Sequence, residues 1–288
     1  MTTPTEVLTP ELVERVLARL GLSEPVEPTL EGLQTLYAAW CRKVPFDNIR
    51  KLIHIYNLDP SPFPGDDATD FFEAWLAYGT GGTCWASNGA LHALLRSLGF
   101  QATRGLCAML VAPQNQISHG SVLVTHDETH YLVDASMLHS EPLRLDATTP
   151  MAIAHPSWGV TCHWRDGYWH VRWRSLLREK PIDCRVEELS VSRDTFREQH
   201  EQTRPWSPFN HELHIRLICG DTTSGIALGQ RVEYDLSGAC VRDHIEEDER
   251  QRLLIDELGV HEEMVQRLPA DTPTPPPPWS QTAQRQQG

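Results

Sequence analysis

The hydrophobic pattern of the chain changes near residue 100, and this change limits the fold classes open to it. Before that point, apolar residues recur at helical spacing over residues 10–20, 30–42, 68–78 and 84–98. Beyond it, short apolar runs alternate with turn formers, and residues 121–125 and 130–134 flank a turn at 126–129, which predicts a β-hairpin. Helices followed by strands predict an α+β protein.

Further short elements follow in the second half of the chain. Aromatic-rich runs on either side of Asp166 and Gly167 predict a second hairpin within residues 163–174. The patterns also predict strands at 212–219, 226–228 and 230–236, and helices at 248–257 and 261–268. From residue 270 onward prolines and glutamines dominate, and this composition predicts a disordered tail.

The composition argues against several classes of function. A net charge of −14 over 288 residues leaves no basic surplus to neutralise phosphates, so we expect no nucleic-acid partner. No apolar run approaches the roughly 20 residues that span a bilayer, and the N-terminus does not have the pattern of a signal peptide. The seven cysteines are scattered without a CxxC pair, so neither disulfides nor a metal site are predicted. We therefore expect a cytoplasmic protein without a membrane partner.

Cys84 is the strongest candidate for a chemical role. Gly81 and Gly82 precede it, and the leucines that follow place it at the start of a helix. Free N–H groups and the positive end of the helix dipole stabilise a thiolate at such a position. Glycines there would also let a substrate approach the backbone closely. The alternative interpretation is an ordinary glycine loop followed by a small buried cysteine.

His119 and Asp134 are candidate partners of Cys84. His119 lies at the start of one strand of the first predicted hairpin, and Asp134 closes the other strand. If the two strands pair, the carboxylate lies near the imidazole, fixes its tautomer and stabilises its protonated form. The imidazole would in turn accept the thiol proton of Cys84. Taken singly, His119 also fits a hydrogen-bonded residue at a strand end, and Asp134 a turn residue.

A set of motifs, in order along the chain, resembles the arylamine N-acetyltransferases. Segment 43–49, KVPFDNI, resembles the V-P-F-E-N-L element of that family, and segment 81–88, GGTCWASN, resembles its G-G-x-C-F-E-x-N. His119 and Asp134 lie where the family places its histidine and aspartate. Segments 166–169, 205–209 and 254–260 resemble a family hairpin, its P-x-S-x-F element and its C-terminal helix. The resemblance covers about residues 10–268.

The resemblance implies a three-part fold around a core like that of cysteine proteases. A helical domain, residues 1–100, would carry the nucleophile, and a β-barrel, residues 101–205, would carry the histidine and the aspartate. An α/β lid would follow at 206–269, with the tail at 270–288.

The resemblance also implies a mechanism and its partners. Cys84, His119 and Asp134 would be the catalytic residues of a ping-pong acyltransferase, with acetyl-CoA or another acyl-CoA as co-substrate and no permanently bound cofactor. The acceptor would be an arylamine, a hydrazine or another small amine, and the oligomeric state stays open. The substrate-binding residues predicted from the motifs are Phe46, Gly82, Thr83, Ser136 and Phe209.

The loop after Asp134 departs from the family pattern. Where the family has V-G-F-G, this chain has Ala135, Ser136 and Met137, and we expect the side chains at 136 and 137 to narrow or reshape the cleft. Two alternatives therefore stay open at this point. One is an amide synthase or amide hydrolase that uses the same triad with a donor other than CoA. The other is a noncatalytic binding protein that keeps the fold.

Overall fold

The computed structural model describes residues 7–111 and 116–276. Its N-terminal part contains five helices: α1 (Pro10–Leu20), α2 (Leu30–Lys43), α3 (Ile49–Tyr56), α4 (Ala68–Tyr78) and α5 (Cys84–Ser97). The side chains of Thr9 and Asp67 accept hydrogen bonds from the first turns of α1 and α4, and Gly21 ends α1 in the left-handed conformation at φ 83°. These local signals are the reason that both helices have the bounds predicted from the sequence. Helix α3 and a two-residue strand before it, β1 (Phe46–Asp47), had not been predicted.

An antiparallel sheet of eight strands forms a nearly closed barrel after the helices. Its strands are β2 (Gln101–Met109), β3 (His119–His126), β4 (Thr129–Leu132), β5 (Leu143–Leu145), β6 (Met151–Ile153), β7 (Val160–Arg165), β8 (Tyr168–Trp173) and β9 (Ile182–Val191). They lie in the order β5-β4-β3-β2-β9-β8-β7-β6. Both predicted hairpins, β3–β4 and β7–β8, are confirmed. Each turns through two residues with positive φ, Asp127 with Glu128 and Asp166 with Gly167.

The third part of the fold is a five-stranded sheet in the order β1-β10-β11-β12-β13. Its remaining strands are β10 (Ile215–Cys219), β11 (Thr222–Ala227), β12 (Gln230–Tyr234) and β13 (Cys240–His244). Strand β1 from the helical part pairs with β10, so that Phe46 lies opposite Arg216. The lid sheet therefore includes a strand that the chain passes through long before it reaches residue 206.

The helices of the second half are short. A polar helix, α6 (Arg193–Gln202), leaves the barrel and packs through Phe196 and His200. It had not been predicted, because two buried residues in ten give too weak an apolar stripe. The predicted charged helix consists of α7 (Glu247–Arg252) followed by a π-helical turn (Leu253–Glu257), and α8 (Glu262–Gln266) comes last.

Two buried clusters meet along strand β3. Val122 packs into the core shared with the N-terminal helices, whereas its neighbour Leu123 packs into the interior of the barrel. Successive residues of a strand point to opposite faces, so β3 is covered on both sides. The α+β class, with helices, barrel and lid, is confirmed. The predicted domain boundaries stay predictions.

The beginning of the predicted tail is attached to the lid. Thr272 N–H donates to the carbonyl of His211 at 2.9 Å, and the Asp271 carboxylate accepts from Leu213 N–H at 2.8 Å. The rest of that prediction, residues 277–288, lies outside the described residues. Within the described part of the chain, no helix is both long and apolar enough to cross a bilayer.

Candidate active site

Cys84 is the first residue of helix α5 and is 5% exposed. Thr83 precedes it in an extended conformation, and its side chain makes no capping hydrogen bond to the helix. The first-turn N–H groups are therefore not neutralised by a side-chain cap, and they add to the positive end of the helix dipole at the sulfur.

The two glycines before Cys84 are required by packing. A side chain at Gly81 would run into the carbonyl of Pro45, and one at Gly82 would meet Ala86 Cβ at 2.8 Å. Gly81 N–H also donates to the buried carboxylate of Asp47 at 2.5 Å. The sequence-based explanation, that these glycines let a substrate approach, is corrected, because it is the protein itself that fills this space.

His119 lies against Asp134 and against Cys84. The imidazole Nε2 is 2.7 Å from Asp134 Oδ2, and both side chains are buried. Cys84 lies close enough to the ring to raise the pKa of His119. Because Nε2 faces the carboxylate, Nδ1 is the nitrogen left for the thiol.

Asp134 accepts hydrogen bonds at both carboxylate oxygens. Oδ2 accepts from His119 and from Ser121 Oγ, the latter at 2.7 Å. Oδ1 accepts from Ser136 N–H at 2.9 Å, Ser136 Oγ at 2.8 Å and Met137 N–H at 2.9 Å. A buried carboxylate is stable when such donors replace its water.

The two buried groups shift each other's pKa in opposite directions. Burial by itself raises the pKa of Asp134, but the charge of His119 and the hydrogen bonds hold it well below its ordinary value. Burial by itself lowers the pKa of His119, but the charges of Asp134 and Cys84 and the hydrogen bonds to both raise it well above its ordinary value. The site therefore favours a protonated imidazole beside an ionised Asp134 carboxylate.

A cavity of about 180 Å³ opens beside the thiol. Cys84, His119 and four of the five predicted substrate-binding residues line it: Phe46, Thr83, Ser136 and Phe209. The rings of Phe46 and Phe209 meet edge to face, with centroids 5.2 Å apart. The fifth, Gly82, is not in this lining and borders a small adjoining cavity of about 10 Å³, which leaves room for at most one water.

A sequence model of the family described as N-acetyltransferase matches residues 29–225, more than half of the chain. The chain belongs to the N-acetyltransferase family. The resemblance seen in the motifs is thereby confirmed, and the protein is an enzyme of the acyl-transferring class.

Known members of the family are similar over most of the chain. An arylamine N-acetyltransferase of Mycolicibacterium smegmatis is 28% identical over 258 residues, which are 83% of this chain and 86% of that protein. The structure of Mycobacterium marinum arylamine N-acetyltransferase superposes with a TM-score of 0.76 at 19% identity, covering 89% of this chain and 96% of that one. The structure of arylamine N-acetyltransferase from Salmonella typhimurium superposes with a TM-score of 0.72 at 21% identity, covering 88% of this chain and 92% of that one.

Two residues without a predicted role hold the strand ends of this N-acetyltransferase fold in place. Asn88, one turn beyond Cys84, accepts from Ala135 N–H at 2.9 Å and donates to the carbonyl of Gly120 at 2.8 Å. The hydroxyl of Tyr37 donates to the carbonyl of Asp134 at 2.8 Å and accepts from its N–H at 3.1 Å. Asn88 belongs to the motif around Cys84 and lies four residues after it on the same helix, so the sequence could have indicated that it lies near the site. No feature of the sequence around Tyr37 indicates that it contacts Asp134.

The loop after Asp134 does not change the cleft as expected. Met137 packs into the barrel core and does not line the cavity. Ser136 does line it, but its hydroxyl donates to Asp134. The prediction that both side chains narrow the cleft is therefore wrong for Met137, because this loop folds back to hydrogen-bond the carboxylate.

Within residues 7–111 and 116–276, no group of three or more histidine, cysteine or acidic side chains is arranged to hold a metal ion.

Proposed function

We propose that the enzyme transfers an acyl group from a CoA thioester to a small amine through a covalent intermediate on Cys84. The observation that carries the proposal is the placement of the His119 ring, between the thiol of Cys84 and the carboxylate of Asp134, at the wall of an apolar cavity. This arrangement supplies a nucleophile, a base and an orienting group in one place.

In the first half-reaction, His119 Nδ1 takes the thiol proton while Nε2–H donates to Asp134. The Cys84 sulfur attacks the thioester carbonyl, and the tetrahedral intermediate collapses with loss of the CoA thiolate, which takes the proton from the imidazole. The Cys84 N–H, at the start of α5, is the proposed donor to the oxyanion. The product is a Cys84 thioester.

In the second half-reaction, the amine nitrogen attacks the Cys84 thioester. His119 takes a proton from the nitrogen, and the Cys84 thiolate is the leaving group, so the thiolate–imidazolium pair returns. CoA leaves before the amine reacts with the Cys84 thioester, which makes the kinetics ping-pong.

Acetyl-CoA is the proposed donor and an arylamine or hydrazine the proposed acceptor. Support comes from the arylamine N-acetyltransferases to which the chain is similar, one of which, from Mycobacterium marinum, is known in complex with CoA. Phe46 and Phe209 offer aromatic edges on which an aryl ring can pack. Thr83 and Ser136 would border the reacting atoms.

Intact-protein mass spectrometry tests the mechanism. Mixed with acetyl-CoA, the protein is expected to gain the mass of one acetyl group, and to lose it when an arylamine such as aniline is added, with acetanilide as the product. Cys84→Ala should gain nothing, whereas Cys219→Ala, which changes a cysteine outside the cavity lining, should behave like the wild type. Release of acetate in place of acetanilide would favour the hydrolase, and acylation that persists in Cys84→Ala would refute the nucleophile.

A further inference from the structure

The cavity beside Cys84 has an unusual distribution of charge for so acidic a chain. The protein carries a net charge of −14, yet no aspartate or glutamate stands among the described residues that line this cavity. Two cationic side chains do line it: Lys51 on α3, 6% exposed, and Arg216 on β10, 4% exposed. The charged side chains in the lining of this largely apolar cavity are therefore cationic, although the chain as a whole is acidic.

Arg216 reaches the cavity from the lid sheet. It lies directly opposite Phe46 in the β1–β10 pair. One guanidinium nitrogen donates to the carbonyl of Arg174 at 2.8 Å, and the group lies 5.2 Å from the centroid of the Trp173 ring. Its Nε has no hydrogen-bond partner, and no carboxylate in the described part of the chain forms an ion pair with it. Burial lowers the pKa of Arg216 to about 10, which still leaves it charged at neutral pH.

Lys51 reaches the cavity from the side of the nucleophile. Its ammonium lies 4.6 Å from the centroid of the Phe63 ring, and within residues 7–111 and 116–276 it makes neither a hydrogen bond nor an ion pair. Burial lowers the pKa of Lys51 to about 7, and the largest opposing effect is the negative charge of Cys84. The ammonium is thus close enough to Cys84 to respond to its charge.

His214 adds a neutral polar group to the same wall. It is two residues before Arg216, on the same face of the chain, and neither of its ring nitrogens has a hydrogen-bond partner. Burial lowers the pKa of His214 to about 4, so it is an uncharged donor at neutral pH. We call Lys51, Arg216 and the neutral His214 the cationic wall.

A buried cation without an anionic partner is costly, because the carbonyl and ring contacts of Arg216 and the ring contact of Lys51 replace only part of the lost hydration. An oxyanion in the cavity would supply that partner, and the wall's positive field would concentrate anions in it. The phosphates of CoA are not suited to this place, because they lie at the far end of the pantetheine arm from the thioester that must reach Cys84. The missing partner is therefore a group close to the reacting atoms.

We propose that the enzyme selects substrates that bear a carboxylate, bound in the cavity by Lys51 and Arg216. The carboxylate can belong to the acyl group, as in the thioester of a dicarboxylic acid, or to the amine, as in an aminobenzoate. The inference rests on the proposed acyl transfer and deepens it, since it concerns the same cavity.

Rates with matched substrate pairs test the proposal. Acylation of Cys84 is followed by mass spectrometry with acetyl-CoA and succinyl-CoA, and transfer from the acetylated enzyme with aniline and 4-aminobenzoate. The wild type is expected to prefer the anionic member of at least one pair by about tenfold or more in kcat/KM. The pair that shows the preference identifies which substrate carries the carboxylate.

Variants then assign the preference to the wall. Lys51→Met and Arg216→Met should each reduce the preference, measured as the ratio of kcat/KM for the anionic and the neutral member of a pair, by about tenfold. Lys180→Met, at an exposed position, should leave the preference unchanged. If Arg216→Met does not fold, Arg216→Lys replaces it. Lysine keeps the charge but cannot donate two parallel hydrogen bonds to a carboxylate, so the preference should fall by a smaller factor.

The outcomes separate this inference from the proposed function. Acetylation of Cys84 by acetyl-CoA with equal rates for both members of each pair would overturn the carboxylate and leave the acyl transfer standing. A loss that falls equally on neutral and anionic substrates would also overturn it, because it would show a structural role only. A rise in KM for acetyl-CoA and succinyl-CoA alike would assign Lys51 and Arg216 to the phosphates of CoA. Absence of any adduct on Cys84 would refute the acyl transfer itself.

Discussion

Two groups of residues at the cavity differ in how completely their polar groups are paired. One is Cys84 and His119 with Asp134 behind them, called the catalytic wall, and the other is the cationic wall. Asp134 accepts hydrogen bonds at both oxygens, and its neighbours His119, Ser121 and Ser136 all point their donors at it. On the cationic wall, by contrast, both ring nitrogens of His214 and the Nε of Arg216 have no partner. The catalytic wall is organised before any substrate arrives, whereas the cationic wall has polar nitrogens that no described residue pairs.

The largest expected effect comes from breaking the catalytic wall at its centre. Asp134→Asn replaces one acceptor oxygen with an amide group that cannot accept the hydrogen bonds now made there. We expect the rate of Cys84 acetylation to fall by about 10³–10⁴-fold, because the imidazole loses its tautomer and its stabilising charge. Asp127→Asn, in the exposed β3–β4 turn, is the control and should match the wild type. An Asp134→Asn rate within tenfold of wild type would contradict the triad.

The next effect tests whether the catalytic wall depends on its support. Asn88→Ala leaves the Ala135 N–H and the Gly120 carbonyl buried without partners, and we expect a loss of about 2–4 kcal/mol in the free energy of unfolding. Asn88→Asp keeps the acceptor but buries a carboxylate against the Gly120 carbonyl, so it should lose at least as much.

Urea titration measures the stability of both Asn88 variants, and kcat and KM are compared for those that stay folded. If Asn88 positions the strand ends, kcat falls by about tenfold with KM little changed. Unchanged kcat in a folded Asn88→Ala would show that the hydrogen bonds serve stability alone.

A matched pair of glycines tests how tightly the catalytic wall is packed. A side chain at Gly120, next to His119, would run into the ring of Phe196 and meet Trp85 at 2.6 Å, whereas one at Gly89 in α5 would find its nearest neighbour at 3.9 Å. Gly120→Ala should therefore destabilise the protein by about 1–3 kcal/mol. Gly89→Ala should stabilise it by about 0.5–1 kcal/mol, because alanine favours the helix. Thermal unfolding measures the stability of both variants. A Gly120→Ala protein as stable as Gly89→Ala would show that packing around Gly120 is loose.

The last prediction concerns the cationic wall. The folded-state pKa of Lys51 is about 7, below its ordinary value of 10.5, so between these values the unfolded chain binds the extra proton. Stability attributable to this residue therefore rises with pH above about 7, by up to about 1.4 kcal/mol per pH unit. The difference in unfolding free energy between wild type and Lys51→Met should change with that slope. A difference that is constant with pH would place the ammonium in water.

Much of the helical part could be predicted because its signals are local. The caps at Thr9 and Asp67 are hydrogen bonds to residues two or three positions away. The apolar residues of α1 and α4 recur at helical spacing, which is visible in the sequence itself. Each of the two missed helices has only one of these signals: α3 has an apolar stripe but no side-chain cap, and α6 is capped by Ser192 but buries only two residues in ten. Strand β13 was missed because an exposed edge strand has no alternating apolar pattern.

For the candidate site, the sequence by itself determined which residues are available and what starts each element: Cys84 opens a helix, and His119 and Asp134 flank one hairpin. Only the tertiary structure decided what surrounds them. Pairing of β1 with β10 brings Phe46 to Arg216, and α3 carries Lys51 to the same cavity. No local rule specifies such contacts, because strand pairing and burial depend on residues far apart in the chain. The position of Cys84 at the start of a helix was therefore predictable from its neighbours in sequence, and the charge of its cavity was not.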